Sequence, residues 1–500
     1  MSTKSIARFR GLLVAAALTP VLVMGGGLAG PALAADGGAA AAAHGHSPAD
    51  DPNADIKDRL AAIPGVTVTE EKPTTTGHRY FVATYTQPID HFRPWLGSFQ
   101  QRFTLLHRGY DRPTVFYTNG YTLGTNPSRT EPTRLVDGNQ VSIEYRFFTP
   151  SRPEPADWTK AGIRQQAADS HKLVTALKRI YDQEWLSTGA SKGGMSSTYY
   201  RRFYPDDMAG TVAYVAPNNT DVDDYSAYSK FFQTVGTPEC RNRLSAAQRE
   251  LLVRRDRMET RFDAANKAAG STFTTVGSAD RAYEGGVLDT VWSFWQYSLE
   301  ADCAKVPVAA TATDDELFAW YDAQVGATGN SDQGLAKYTA YYYQAATELG
   351  QPFFDVSNIK DLLHCDYKEL YSARSYISKD VNVPGFNPYA MRDIDRWVKR
   401  DAERIIYVYG GNDPWGAKPF RPDEENDSYV YTVPGGNHGS NIGKLPAAQS
   451  AEATAKVLEW AGLGEQAPAA RSLTKSPQLI PAFGPLDVEG QKLDEERRPL

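Results

Sequence analysis

Cysteine is scarce in this chain, three residues in 500, and no Cys or His pair has the spacing of a structural zinc site, so a metal-stapled fold is excluded and no metal is expected. Beyond residue 24 no apolar run is long enough to cross a bilayer, so no membrane anchor is expected. No internal repeat recurs, which sets solenoids and propellers aside. Positive charge is not in excess either: 53 Lys and Arg stand against 60 Asp and Glu, a net charge of -7, which argues against nucleic acid as a partner. What is there, 41% hydrophobic, 11% aromatic and 23% charged residues, suits one large globular domain with an insertion, or two domains.

The N-terminus has a composition of its own. Lys4, Arg8 and Arg10 precede an apolar run over residues 12–24 and a small-residue ending at Ala32-Leu33-Ala34, the pattern of a secretory signal peptide over residues 1–34. A secreted protein is therefore expected. Residues 35–75 open with Ala, Gly, Asp and His in no periodic order and are expected to be a flexible leader or pro-segment. In an exported chain three cysteines suggest one disulfide and one thiol. Cys240 with Cys303 is the favoured pair, because both fall in one aromatic, helix-rich region and Cys365 lies further off, although sequence leaves the pairing open.

From residue 77 the pattern has period two, and residues 78–85 and 98–106 predict two antiparallel strands. Residues 114–118 and 140–147 are β-branched and aromatic, as buried parallel strands are. Ile163, Ala167, Val174, Leu177 and Tyr181 recur at helical spacing, and apolar strands follow at 185–190 and 211–216. Alternation of strand and helix predicts a parallel α/β sheet with right-handed crossovers. The strand pattern then stops for residues 220–395, where segments at 245–268, 314–325 and 335–349 read as helices of an inserted cap. Strands resume at 404–409 and 428–433, a helix at 446–460 covers them, and residues 463–500 form an irregular tail. The sheet domain is thus expected over 76–219 and 396–462.

The chemistry gathers where strands end. Gly189-Ala190-Ser191-Lys192-Gly193 joins an apolar strand to a helix as a G-x-S-x-G nucleophile elbow, with Gly189 and Gly193 needed because a Cβ beside so tight a turn would collide with backbone. The two late strands run into Gly411-Asn412-Asp413-Pro414-Trp415 and Gly436-Asn437-His438, completing the order Ser191, Asp413, His438. Parallel strands put their C-terminal ends on one edge, so the three can meet. Acyl transfer needs these types: the histidine takes the serine proton and the carboxylate fixes the imidazole. The backbone N–H groups of Lys192 and Tyr121 are the expected oxyanion hole, while the Lys192 side chain is expected in a surface salt bridge. His91, His171 and His364 fit the base less well, preceding the nucleophile, lying on a helix, or falling inside the cap.

Five separated motifs, residues 87–92, Glu144-Tyr145-Arg146-Phe147-Phe148, the elbow, the Asp413 loop and the His438 loop, resemble the secreted bacterial prolyl tripeptidyl and tetrapeptidyl aminopeptidases over roughly residues 75–460. The first two also resemble the lysosomal prolyl carboxypeptidase and dipeptidyl peptidase group, whose E-H-R has Tyr145 in place of its histidine here. The resemblance implies an α/β-hydrolase fold, no cofactor, and a serine exopeptidase that removes tripeptides or tetrapeptides from free N-termini, preferring proline before the cut. A cap closing one side of the cleft would admit only a chain end, and a carboxylate there would pair with the α-ammonium. Trp415 and the run Trp292, Phe294, Trp295 and Tyr297 are candidates to stack on the proline ring, and Glu300 is the candidate ammonium partner. Its partners would then be peptides with a free N-terminus, and a monomer is the default expectation. An esterase or lipase with the same triad is the alternative within enzymes; a catalytically silent binding protein is the alternative outside them.

Overall fold

The computed structural model describes residues 47–464 except 75–76 and 223–224; the expected signal peptide, the first part of the leader and the tail from residue 465 lie outside the described residues. Nine strands form one sheet in the order β1-β2-β3-β5-β4-β6-β7-β8-β9. β1 (Val66–Lys72), β2 (Arg79–Pro88) and β3 (Ser98–His107) are antiparallel, and β3 pairs antiparallel with β5 (Asn139–Ile143). β4 (Thr114–Thr118), β5, β6 (Trp185–Ala190), β7 (Gly210–Tyr214), β8 (Ile405–Gly410) and β9 (Tyr429–Val433) run parallel. This is the sheet of an α/β-hydrolase.

Burial follows the pleat. Along β8, Ile405, Tyr407 and Tyr409 enter one core while Ile406 and Val408 enter the other. Every residue of β7 and β8 is buried, because both faces are covered and such strands need no polar face. The helices α3 (Ile163–Leu177) and α4 (Lys192–Phe203) pack on the first face, and α2 (Glu131–Val136) and α14 (Ala447–Trp460) on the second.

The segment expected to be a flexible leader is partly built into this sheet. α1 (Ile56–Ala61) buries Ile56 and Leu60, and β1 pairs with β2 over Val66 to Lys72. Low apolar content before residue 55 hid a stretch in which Ala49, Ile56, Leu60, Ile63 and Val66 find the core. The expected strand over 140–147 ends at Ile143, since Glu144 and Arg146 turn inward and Phe147 takes a φ of 69°.

Between β7 and β8 the chain leaves the sheet and builds the cap: α5 (Ser226–Thr234), α6 (Pro238–Val253), α7 (Arg255–Ala269), α8 (Ala279–Tyr297), α9 (Asp314–Val325), α10 (Asp332–Ala336), α11 (Thr339–Gln344), α12 (Tyr367–Leu370) and α13 (Tyr389–Arg400). The single helix expected over 245–268 is two, α6 and α7, broken at Arg254, whose guanidinium reaches the Ala309 and Ala312 carbonyls. The stretch expected as one helix over 335–349 is α10 and α11 followed by a wide turn, Ala345–Leu349. α13 begins inside the expected cap, yet Asp393 pairs with Arg202 of α4 at 3.2 Å, so the chain is back on the sheet layer before residue 396. Cys240 and Cys303 form a disulfide with Cα atoms 5.6 Å apart, tying the start of α6 to the 3-10 turn Glu300–Lys305.

His107 at the end of β3 lies against Tyr110 and bonds the Tyr181 hydroxyl at 2.8 Å. Burial, helped by the Arg79 charge, pushes its pKa down from 6.5 to about 4. The unfolded chain therefore binds the extra proton more readily, so the contribution of neutral His107 is complete above about pH 6.5 and is lost as pH falls toward 4. His107→Gln should remove this dependence: the fall in melting temperature between neutral and acid pH should shrink by about 2 °C relative to the wild type, read by calorimetry.

Candidate active site

Ser191 stands between β6 and α4 with φ 55° and ψ -126°, a conformation that costs an L-residue about 1–3 kcal/mol. The surroundings impose it. A Cβ on Gly189 would lie 2.2 Å from the Gly193 carbonyl oxygen, and one on Gly193 would lie 2.3 Å from that of Thr118, so strand, turn and helix meet backbone to backbone. The Ser191 N–H donates to the Tyr214 carbonyl at 2.9 Å, and the Thr118 hydroxyl donates to the Gly193 carbonyl at 2.6 Å. The hydroxyl of Ser191 is thus held at the N-terminus of a twelve-residue helix, whose dipole favours negative charge there.

Asp413 follows β8 and His438 follows β9. Their loops are also in backbone contact: a Cβ on Gly410 would lie 2.3 Å from the Asn437 carbonyl oxygen, and the Asn412 N–H donates to the Gly436 carbonyl at 2.8 Å. Asp413 is fully buried and His438 is 2% exposed, and the Asp413 carboxylate meets His438 Nδ1 at 2.7 Å. The other carboxylate oxygen accepts the Trp415 N–H at 3.2 Å. That arrangement directs the second ring nitrogen, Nε2, away from the carboxylate, and it has no protein partner among the described residues. Ser191 and His438 line one cavity of about 40 Å³, with room for about three waters.

The expected residues divide. Ser191, Lys192, Tyr121, Trp415 and His438 line the cavity, with Asp413 behind His438. Trp292 does not face it: fully buried, it packs edge-on against Trp415 at 4.9 Å and against Phe354, and gives its N–H to Gln296. Trp295, three residues along the same helix, is buried beside Phe294 and Gly236, away from the cavity. Glu300 lies beyond the helix end, where its carboxylate accepts the Thr237 N–H at 2.7 Å. Of that aromatic run α8 brings Tyr297 to the cavity, beside Gln296, and leaves Phe294 out of it, since each residue turns the helix by about 100° and a run of aromatics cannot all face one way. The Lys192 side chain is not at the surface either; it is 1% exposed and donates to the Gly120 carbonyl at 2.8 Å.

Other contributors carried no signal in the sequence. The Gln296 carbonyl accepts the His438 N–H at 3.0 Å, so a cap residue fixes the histidine loop. Met195, Pro217, Asn219, Tyr341, Leu349 and Gly350 complete the cavity wall. Next to that wall, Glu348 accepts the Ile163 N–H at 2.8 Å and so fastens the cap to the start of α3; burial raises its pKa.

Comparisons place this architecture among known proteins. Residues 49–499 match the family model described as PS-10 peptidase S37. A prolyl tri/tetrapeptidyl aminopeptidase from Streptomyces mobaraensis is 52% identical over 450 residues, covering 89% of this chain and 92% of that protein. A lysosomal Pro-X carboxypeptidase from Bos taurus is 22% identical over 443 residues, 76% of this chain and 86% of its own. The crystal structure of a proline iminopeptidase from Mycobacterium smegmatis covers 78% of this chain and 99% of its own at 14% identity, with a TM-score of 0.33, too low to carry an argument.

The packing at the elbow has a measurable consequence. Gly189→Ala forces a methyl group onto the Gly193 carbonyl and should cost about 3 kcal/mol of stability, whereas Gly124→Ala, with open space and ordinary backbone, should stay within about 0.5 kcal/mol of the wild type in urea denaturation.

Proposed function

The chain belongs to the PS-10 peptidase S37 family, and from that premise we propose that it is a prolyl tri/tetrapeptidyl aminopeptidase in which Ser191 is the nucleophile, His438 the general base and acid, and Asp413 the group that orients the imidazole. The observation that carries this reading is the buried pair of His438 and Asp413 at 2.7 Å, with Nε2 unpartnered at the wall of the cavity that Ser191 also lines. Serine is a weak nucleophile until a base takes its proton. With Nδ1–H committed to Asp413, His438 presents Nε2 for that proton as Ser191 Oγ attacks the peptide carbonyl carbon. The tetrahedral oxygen is held by the backbone N–H groups of Lys192 and Tyr121. Collapse returns the carbonyl and breaks the C–N bond, His438 giving its proton to the departing amine; water then repeats the steps on the acyl-enzyme.

Trp415, Met195, Pro217 and Tyr341 make the wall beside Ser191 largely apolar. The cap closes over the sheet edge, which favours a chain end over a mid-chain segment; Glu300 accepts the Thr237 N–H and does not line the cavity. No helix of the described residues is long and apolar enough to cross a membrane. The basic and apolar N-terminal segment with its Ala32-Leu33-Ala34 ending supports secretion, as does the disulfide.

The free tripeptide amide Ala-Ala-Pro-4-nitroanilide should be cleaved after proline, and its N-acetyl form and short acyl esters much more slowly. Equal cleavage of the acetylated form would contradict the exopeptidase reading, and cleavage of esters alone would contradict a peptidase. Ser191→Ala should lower kcat/KM at least about 10⁴-fold, and Asp413→Asn should lower kcat about 10⁴-fold, each with an unchanged melting curve. Ordinary turnover in Ser191→Ala would remove the nucleophile from the scheme.

A further inference from the structure

Lys192 holds an ammonium group in the interior one residue after the nucleophile. At 1% exposure, its Nζ lies 2.8 Å from the Gly120 carbonyl oxygen and 3.1 Å from the centre of the Tyr145 ring, with the Tyr121 and Phe148 rings at 5.5 and 5.7 Å. Burying an ammonium is costly unless it is bonded, and rings around it lower the cost without supplying direction. The Gly120 carbonyl is a directed partner. That oxygen shares a peptide unit with the Tyr121 N–H, the second donor of the oxyanion hole.

We propose that the Lys192 side chain is a positioning residue for the oxyanion hole: by gripping the Gly120 carbonyl it fixes the peptide plane that aims the Tyr121 N–H at the reacting carbonyl oxygen. This rests on the reading of Ser191 as nucleophile. In a trans peptide the C=O and N–H point to opposite sides of one rigid plane, so holding the oxygen holds the hydrogen. A flip of that plane would bring an oxygen where the anion forms. Gly120 lends the loop freedom to flip, having φ 84° and no Cβ, and a Cβ there would lie 2.6 Å from Gly193 N, so the loop lies directly on the elbow. The ammonium also polarises the peptide it grips and strengthens its N–H as a donor.

The rest of the loop is held from the opposite side. The Tyr145 N–H donates to the Tyr121 carbonyl at 3.1 Å, and the Glu144 carboxylate accepts the Leu123 N–H at 3.0 Å while bonding Ser151 Oγ at 2.6 Å and the Arg102 guanidinium. The carbonyls on both sides of the Tyr121 N–H are therefore engaged, one by Lys192 and one by Tyr145, whose ring also forms the floor under the ammonium. Lys192 thus acts twice, its own N–H as one donor and its side chain as the support of the other.

Lys192→Met keeps the length and the backbone N–H and removes the grip. Loss of one oxyanion-hole donor costs about 10²–10³ in kcat. The variant should lose about 100-fold or more in kcat on the Ala-Ala-Pro amide with KM within about threefold of the wild type. Its affinity for an Ala-Ala-Pro boronic acid, whose serine adduct places an oxygen in the hole, should fall in parallel. A kcat within about threefold of the wild type overturns the proposal, as does a lower kcat with unchanged boronate affinity, or a change confined to KM. If the Met variant is not recovered folded, Lys192→Leu decides by the same criteria. Ser191→Ala separates the two readings: if it is inactive while Lys192→Met turns over normally, only the positioning role falls; if it stays active, the nucleophile assignment falls.

Discussion

One strained residue organises the molecule. Ser191 holds its positive φ only because Gly189, Gly193 and Thr118 bring three backbones into contact, leaving no other path from β6 to α4. About 1–3 kcal/mol of strain is small beside what central strands buried on both faces contribute, so the sheet can hold it. The groups proposed for catalysis are then placed relative to that point. The loops after β8 and β9 share the sheet edge with the elbow because the strands are parallel, and the backbone contact between Gly410 and Asn437 brings acid and base together before any side chain is considered.

The cap does more than cover this edge. Near the end of its helix α8, the Gln296 carbonyl holds the His438 N–H, and Asn437 in turn reaches the Ser298 carbonyl at 3.4 Å. Its wide turn supplies Leu349 and Gly350 to the cavity while the neighbouring Glu348 caps α3. The cavity wall and the placement of His438 therefore share the same cap elements. A change in cap packing reaches His438 through one backbone hydrogen bond, so substitutions far from the cavity can alter turnover and substrate choice together.

How much of this the sequence carries depends on what a residue's position requires. Ser191, Asp413 and His438 were legible because each sits where a strand must end, flanked by glycines that only a tight backbone approach demands. The strands other than β1 and most helices of the sheet domain were legible for a similar reason, since their periodicity records which face is buried. The cap was legible only as helical. Trp292, Trp295 and Glu300 shared a plausible run, yet which of them faces a cavity depends on the rotation of α8, which an all-round buried helix does not encode. The buried Lys192 reads as surface because its carbonyl and aromatic partners come from two other loops, 72 and 47 residues away in sequence.

The two motifs nearest the N-terminus, residues 87–92 and Glu144-Tyr145-Arg146, find their reason in packing and not in chemistry. Arg146 is fully buried and grips both oxygens of Asp169 at 2.6 and 2.7 Å, while His91 meets the same carboxylate at 2.7 Å and Gln87 bonds the Asp169 carbonyl at 2.9 Å. The remaining Arg146 nitrogen donates to the Lys160 carbonyl at 2.7 Å. A buried ion pair is a poor source of stability, because desolvation offsets the attraction, but it is exacting: removing one partner strands the other charge in the core. This network therefore fixes how β2, β5 and α3 meet. Tyr145 lies between its Arg146 and the buried Glu144, so the backbone that sets the ring beneath the Lys192 ammonium is held at both neighbouring residues. The histidine found at that position in the lysosomal group would replace a fully buried ring that bonds Tyr199 and Gln344. An imidazole is smaller and able to take up a proton, and beside an ammonium it would repel where the phenol ring attracts. The tyrosine in the motif and the lysine in the elbow thus belong to one arrangement, and neither is an independent choice.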